Sequence, residues 1–80
     1  MIEVTHYGVL REVFGGRTQE LAAGEARNVK ELLDGLAEKT PAFRSLRPSI
    51  AVAVEDRLVS EDHPLSVGAR VALLPPVSGG

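Results

Sequence analysis

The stretch from Asn28 to Ala37, NVKELLDGLA, predicts the main helix of the chain. Asn28 is a favoured N-cap residue, and Glu31, three positions later, can reach back to the cap N–H. Thr40-Pro41 should end the helix, because a residue that precedes proline disfavours helical geometry. Between these limits the apolar residues follow the spacing of one buried helix face: Val29, Leu32, Leu33, Leu36 and Ala37.

Strand patterns lie on both sides of this helix. Two precede it, at residues 2–7 and 17–21, with a short helical turn at 10–14 between them. Three follow it, at residues 50–54, 58–59 and 70–74, and turns join them. This order favours an α+β fold, a mixed sheet of about five strands with one main helix packed on one face. A β-grasp arrangement satisfies the order economically.

The composition limits the classes of function. The 80 residues are 44% apolar and 25% charged, which is typical of one small globular domain. So short a chain buries only about 60% of the surface that it exposes when unfolded, so we do not expect a deep catalytic pocket. The formal charge of −2 lacks the basic footprint of a nucleic-acid binder. The absence of cysteine excludes disulfides and thiolate chemistry.

The cellular location is also an expectation from sequence. The N-terminal residues Met1 to Thr5 lack the basic and apolar regions of a signal peptide. No apolar run approaches the ~20 residues that are needed to cross a bilayer. We therefore expect a cytoplasmic protein with no membrane partner.

One histidine and one basic cluster, both away from the C-terminus, have a purely structural interpretation as well as a functional one. His6 lies on an alternating strand, and no second ligand stands at metal-binding spacing, so a packed or surface histidine is expected and no metal site. Lys39, Arg44 and Arg47 form a modest basic cluster. The cluster is either a solvated face or a docking site for an acidic partner.

The C-terminus is the unusual feature of the sequence. We divide the chain into a β-grasp domain at residues 1–74 and an extended tail at residues 75–80. The tail reads Pro75-Pro76-Val77-Ser78-Gly79-Gly80. Two prolines favour extended geometry, and six residues reach at most about 20 Å. Gly79-Gly80 has the thinnest cross-section that a peptide can have, so the tail can thread a narrow channel in a partner.

Such a tail suits the delivery of a terminal carboxylate. A free carboxylate is a poor electrophile, but attack on the α-phosphate of ATP converts it into an acyl-adenylate. A sulfur or nitrogen nucleophile can then displace AMP. Bulk beside the acyl carbon would obstruct both steps, which accounts for glycine at position 80. A carrier with a reactive terminus is therefore our first hypothesis.

Two apolar residues are candidates for contact with a partner. Alternation along the last strand places Val71 and Leu73 on one face and Ala72 and Leu74 on the other. If the first pair is core, Leu74 lies exposed near the tail, and exposed apolar surface on a small protein indicates an interface. Phe14 is either core or interface. Core placement also remains open for Leu74.

The residues of the tail and of three further segments carry a resemblance to a known family. These segments are LREVFG at residues 10–15, Ala53-Val54, LVSEDHPL at residues 58–65 and VALLPPVSGG at residues 71–80. The chain closely resembles the small subunits of molybdopterin synthase, a family of ubiquitin-like sulfur carriers. The likeness spans essentially the whole chain, and the Pro-Pro-Val-Ser-Gly-Gly ending is its most specific part. The family often has Asn where this chain has Glu55.

The resemblance implies a ubiquitin-like β-grasp fold and a sulfur-transfer cycle. A ubiquitin-E1-type adenylyltransferase would adenylate Gly80 with ATP, and sulfur would then form a C-terminal thiocarboxylate (1-thioglycine). The synthase large subunit would receive the tail and pass two sulfurs to cyclic pyranopterin monophosphate. In this family the large subunit is a dimer, which forms a heterotetramer with two carriers. The product is the dithiolene of molybdopterin.

This cycle implies a division of labour between the subunits. Catalytic side chains would belong to the large subunit, so this chain is a carrier that binds no cofactor tightly and holds sulfur covalently at Gly80. The contact residues would be Phe14, Leu74, Pro75, Pro76, Val77, Ser78 and Gly79.

Two alternatives stay open. A sulfur carrier for thiamine thiazole or for tRNA thiolation would share the tail and the fold, although the DHPL and PPVSGG segments favour molybdopterin. A non-reactive ubiquitin-like binding module belongs to a different class, because its tail would be an ordinary terminus. Formation of a thiocarboxylate separates the carriers from the binding module.

Overall fold

A computed structural model of the chain describes residues 1–75. Its five strands are β1 (Ile2–His6), β2 (Thr18–Leu21), β3 (Ala51–Val54), β4 (Arg57–Val59) and β5 (Arg70–Leu74). Its three α-helices are α1 (Leu10–Phe14), α2 (Val29–Lys39) and α3 (Pro41–Leu46), and 3₁₀ turns occur at Ala23–Glu25 and Arg47–Ser49. The predicted strands and the predicted helical turn agree with these bounds to within one residue.

The strands form one mixed sheet in the order β2-β1-β5-β3-β4. β1 and β5 are parallel and lie side by side, whereas the other neighbouring pairs are antiparallel. The C-terminal strand is therefore the middle strand of the sheet, with a full ladder of hydrogen bonds on each side. The mixed sheet with one main helix confirms the predicted β-grasp arrangement.

The helix α2 covers one face of the sheet with the predicted stripe. All five stripe residues are buried, and the largest fully buried side chain of the described core is Phe43 from α3. Asn28 caps α2 as predicted, since its Oδ1 accepts a 2.8 Å hydrogen bond from the Glu31 N–H. Glu31 does not reach the cap N–H; its Oε1 accepts instead from the N–H of Arg27 at 2.9 Å, and this bond holds the pKa of Glu31 below its usual value.

The loop before β5 completes the helix terminus. The Val29 N–H donates to the His63 carbonyl at 3.0 Å, and the Lys30 N–H donates to the Glu61 carbonyl at 2.8 Å. These N–H groups have no partner inside the helix, so the loop carbonyls satisfy them. The predicted turn around His63 thereby ties the main helix to the segment that leads into the central strand.

The turn between β3 and β4 has two residues in the left-handed region. Glu55 has φ +50° and Asp56 has φ +67°. Asn and Gly adopt this region more readily than Glu does. Glu55 has a compensating contact, because its Oε1 accepts a 2.8 Å hydrogen bond from the N–H of Arg70.

Gly35 is the weak point of α2. A Cβ atom at this position would meet nothing within 4 Å, so the fold has no steric need for glycine there. We expect Gly35→Ala to raise the free energy of unfolding by about 1 kcal/mol, because alanine loses less backbone entropy in a helix. Urea denaturation measures the change. Gly15→Ala is the control: Gly15 ends α1 at φ +76°, so alanine there should destabilise the protein.

Candidate functional site

The site is the point where the chain leaves the centre of the sheet. Leu73 and Leu74 at the end of β5 pair with β3, in register with Val52 and Ala51. On the other side, Leu73 is in register with His6 of β1. The segment that follows therefore starts from a position that two neighbouring strands hold.

The turn after β1 supports the first residue beyond the sheet. Gly8 has φ +58°, and a Cβ atom there would lie 2.8 Å from Cγ of Pro75. The Tyr7 N–H donates to the Leu73 carbonyl at 3.2 Å, which brings this turn against the end of β5. Glycine at position 8 thus permits close contact between the turn and Pro75. In the sequence Gly8 is visible only as the end of a strand.

The outward face of the sheet is apolar beside this exit. Val71 and Leu73 are buried beneath α2, so alternation turns Ala72 and Leu74 outward; of the two placements that the strand pattern left open for Leu74, the structure shows the outward one. Leu74 is half-buried. We call the following group the outer patch: Ala51, Ala53, Leu58, Ala72 and Leu74.

The strand register brings the outer patch together. Ala72 lies opposite Ala53, and Ala53 lies opposite Leu58 on the edge strand β4. Leu58 is 72% exposed, so no neighbouring strand within residues 1–75 covers it. Burial in the fold therefore does not account for an apolar residue at this position. The sequence showed a short strand at Leu58 but no signal that it faces outward beside the alanines; only the register reveals this.

Phe14 lies on the other side of the sheet from the outer patch. It is half-buried, and its ring stacks on His6 with centroids 4.5 Å apart and tilts against Phe43 at 5.1 Å. The structure therefore does not bring Phe14 and Leu74 into one surface. The ring joins α1 to the core, and partner contact by its exposed part stays a prediction.

The remaining predicted site residues lie beyond the described part of the chain. They are Pro76, Val77, Ser78, Gly79 and Gly80. Within residues 1–75, the site therefore consists of the outer patch and the contact between Gly8 and Pro75.

His6 is a packed residue. Its side chain is 1% exposed, and its Nδ1–H donates to the Gly16 carbonyl at 2.9 Å. Because a carbonyl only accepts, Nδ1 carries the proton, and Nε2 accepts from the Gln19 amide at 2.8 Å. Both ring nitrogens are occupied by protein partners. Among residues 1–75, no group of three His, Cys, Asp or Glu residues is arranged to hold a metal ion.

The basic cluster is largely engaged within the fold. Arg47 bonds to Asp34 and lies 3.6 Å from Glu61, and the Arg44 Nε–H donates to the Ala37 carbonyl at 3.3 Å. Lys39 lies 3.9 Å from Glu25. The hydrogen bonds from Arg47 and then Lys30 hold the pKa of Asp34 below its usual value. These contacts favour the interpretation of a solvated, internally paired face.

The clefts of the structure lie away from the outer patch. One of about 250 Å³ runs beside α2 at Gly35, and one of about 200 Å³ lies between the β3–β4 turn and the loop before β5. His63 and Ser66 are among the residues that line the second cleft. No helix within residues 1–75 has the length and apolar character that a membrane span requires.

Comparisons with known proteins agree with this geometry. The molybdopterin synthase sulfur carrier subunit of Escherichia coli (strain K12) is 37% identical over 82 aligned positions, which cover 100% of both proteins. The structure of SAMP1 from Haloferax volcanii superimposes with a TM-score of 0.82 at 30% identity and covers 99% of this chain and 98% of that one.

A third comparison is with a complex. A chain in the complex of subunits 1 and 2 of molybdopterin-converting factor from Helicobacter pylori 26695 has a TM-score of 0.71 and 26% identity, over 99% of this chain and 97% of that one. These neighbours confirm the ubiquitin-like form of the β-grasp fold. A profile of the ThiS family matches residues 4–80. Since this match leaves out only three residues and the bacterial relative aligns end to end, the chain belongs to the ThiS family.

Proposed function

We propose that this protein is a sulfur carrier for molybdenum cofactor biosynthesis, with the acyl carbon of Gly80 as the carrying atom. The observation that supports it most is the course of the chain. A central, doubly paired strand leads directly into the sequence Pro-Pro-Val-Ser-Gly-Gly, beside the apolar outer patch, in which Leu58 is 72% exposed. The fold holds the exit rigidly, and the tail has the narrow end that a partner's active site needs.

Activation takes two steps, and both belong to an E1-like adenylyltransferase. A carboxylate oxygen of Gly80 attacks the α-phosphorus of ATP, the bond to the β-phosphate breaks, and pyrophosphate leaves. A sulfide-level donor then attacks the acyl carbon, the bond to the AMP oxygen breaks, and AMP leaves. The product is the C-terminal thiocarboxylate. This chain contributes an unhindered acyl carbon, since glycine has no side chain beside it.

Delivery takes place in the molybdopterin synthase large subunit. The thiocarboxylate sulfur forms a bond to a carbon of cyclic pyranopterin monophosphate while a C–O bond at that carbon breaks and the oxygen group leaves. Water then splits the acyl C–S bond, which returns the Gly80 carboxylate and leaves the sulfur on the product as a thiolate. One carrier supplies each of the two dithiolene sulfurs. The carrier supplies the sulfur and a docking surface, and the large subunit supplies the catalytic side chains. We also propose that this cycle takes place in the cytoplasm.

The outer patch is the docking surface of this proposal. It surrounds the end of β5, so a partner that covers it also receives the tail. Leu58 is 72% exposed in the part of the chain that the structure describes, and burial of apolar surface drives most protein association. The complex of subunits 1 and 2 in Helicobacter pylori supports a large-subunit partner for this chain.

Mass spectrometry of the intact protein tests the proposal. After co-expression with the native adenylyltransferase, we expect a mass gain equal to the replacement of one oxygen by sulfur, located at Gly80. The gain should disappear when Gly80 is deleted. If the mass stays unchanged in the presence of an active adenylyltransferase and a sulfur donor, the chain is not a sulfur carrier, and the result favours a non-reactive binding module.

A carrier for thiamine thiazole synthesis or tRNA thiolation is the second candidate, because the matching profile is that of the whole ThiS family. It predicts the same mass gain. The partner distinguishes the two: a pull-down from native lysate should retain the molybdopterin synthase large subunit. Retention of a thiazole or tRNA-thiolation enzyme in its place would favour the alternative.

A further inference from the structure

Gly8 lies against the first residue of the tail at less than side-chain distance. A Cβ atom built on Gly8 would lie 2.8 Å from Cγ, 3.7 Å from Cβ and 3.8 Å from Cδ of Pro75. Carbon atoms that are not bonded to each other pack best at about 3.5–4.0 Å, so the first of these distances is a clash. The backbone of Gly8 and the ring of Pro75 can therefore adopt this arrangement only because residue 8 has no side chain.

The turn at Gly8 is anchored on both sides. His6 before the turn and Leu10 after it are both buried in the described core. The Leu10 N–H donates to the Tyr7 carbonyl at 3.1 Å and closes the turn between these anchors. A movement of the turn away from Pro75 would pull one of the buried residues out of the core, so Pro75 must move if a side chain is added at position 8.

Pro75 is held from its own side as well. Leu74, the residue before it, pairs with Ala51 of β3. Proline has no N–H, so Pro75 cannot donate a further hydrogen bond to either neighbouring strand. Its ring is closed onto the backbone, so the ring cannot rotate away from Gly8 without movement of the main chain. Packing against Gly8 therefore helps to hold residue 75 at the point where the ladder of hydrogen bonds ends.

The position of residue 75 matters because the tail is short. Gly80 follows five positions later, and six residues reach at most about 20 Å when fully extended. The two prolines favour extended geometry, and an extended chain has little slack to absorb a displacement of its first residue. The place where the tail begins thus contributes to where the terminal carboxylate arrives in the active site of a partner.

We propose that Gly8 is a positioning residue for the adenylation of Gly80. Because it has no side chain, it lets the turn after β1 hold Pro75, and this fixes the start of the tail before the E1-like adenylyltransferase binds. The inference rests on the proposed function for its reaction and its partner. A start that is already fixed reduces the ordering that binding requires, so its loss should appear in KM more than in kcat.

Gly8→Ala tests this role in ATP–pyrophosphate exchange with the purified adenylyltransferase. The added methyl group must displace Pro75, so the KM for the carrier should rise about 10-fold while kcat stays within about 2-fold of the wild type. Alanine at φ +58° also strains the backbone and lowers stability. The assay is therefore run at a temperature at which circular dichroism shows that the variant is folded.

Gly15→Ala is the matched control for this strain. Gly15 has φ +76°, and a Cβ atom there would meet nothing within 4 Å. The substitution therefore adds the same methyl group in the same region of backbone conformation, without a contact to the tail. It should lower the urea concentration at the midpoint of unfolding, but the KM for the carrier should stay within about 2-fold of the wild type.

Pro75→Ala tests the other side of the contact. Alanine has no Cγ or Cδ, so a methyl group at position 8 would meet only a Cβ at 3.7 Å, an ordinary contact. Pro75→Ala alone should raise the KM about 3-fold, and adding Gly8→Ala to it should raise the KM by no more than about a further 2-fold. Because Pro75→Ala leaves Gly8 unchanged, it tests the contact even where Gly8→Ala does not fold.

The outcomes separate this inference from the proposed function. If the wild type supports exchange and the KM values of Gly8→Ala or Pro75→Ala match it, the contact has no positioning role, and the proposed function stands. Equal increases for Gly8→Ala and Gly15→Ala, or additive effects at positions 8 and 75, also overturn the inference. If the wild type supports no exchange with an active adenylyltransferase, the proposed function fails and this inference fails with it.

Discussion

Appending one phenylalanine after Gly80 should abolish sulfur delivery by this protein. The new terminal carboxyl group would lie beside an α-carbon that carries a benzyl group, and the acyl carbon of Gly80 would be held in a peptide bond. A reacting group that is displaced by even 1 Å can lose about 100-fold in rate, so we expect at least that loss of molybdopterin formation with the reconstituted synthase. Intact-mass measurement after co-expression should show no thiocarboxylate at all.

The same addition before Met1 is the control for this variant. Met1 is 60% exposed, and its carbonyl accepts a 2.9 Å hydrogen bond from the N–H of Gly68. Gly68 lies just before β5, so Met1 is at the opposite end of that strand from Pro75. An N-terminal phenylalanine should leave loading and delivery unchanged. Full activity of the C-terminally extended protein would show that the terminal acyl group is not the carrier of sulfur.

The fold was largely predictable because its local signals agree with each other. The stripe of α2, the cap at Asn28 and the proline after Thr40 each point to one helix with the observed bounds. The strands have clear alternation, and each turn has glycine, proline or short polar residues. Two local disagreements occur within residues 1–75: Glu31 bonds to the Arg27 N–H and not to the cap N–H, and the turn at Glu55 and Asp56 has left-handed geometry without glycine.

The site was only partly predictable, because its geometry depends on pairing between distant strands. Alternation along β5 put Ala72 and Leu74 on one face, but it left open whether that face was core or outward; the burial of Val71 and Leu73 decides this. Alternation could not show that Leu58 lies on the same face across two strands, or that Gly8 contacts Pro75, since register is a tertiary property. Phe14 shows a second limit of the sequence. Its apolar character made it a candidate for core or interface, but it did not show on which side of the sheet the residue lies.

A charged residue in place of Leu58 should weaken docking more than any other exposed substitution on the fold. Leu58→Arg introduces a guanidinium into an apolar patch that a partner must dehydrate, so we expect affinity for the large subunit to fall by about 30-fold or more. Leu58 is 72% exposed, so the free energy of unfolding should change by no more than about 0.5 kcal/mol. Titration calorimetry and urea denaturation measure the two quantities.

Val67→Arg provides the comparison that isolates the patch. Val67 is 78% exposed and precedes β5, so it offers an apolar side chain of similar exposure at the end of that strand away from the tail. The same charge there should leave affinity within about 2-fold of the wild type. If both substitutions weaken binding equally, then added charge alone acts on the partner. If neither does, the partner does not dock on the outer patch.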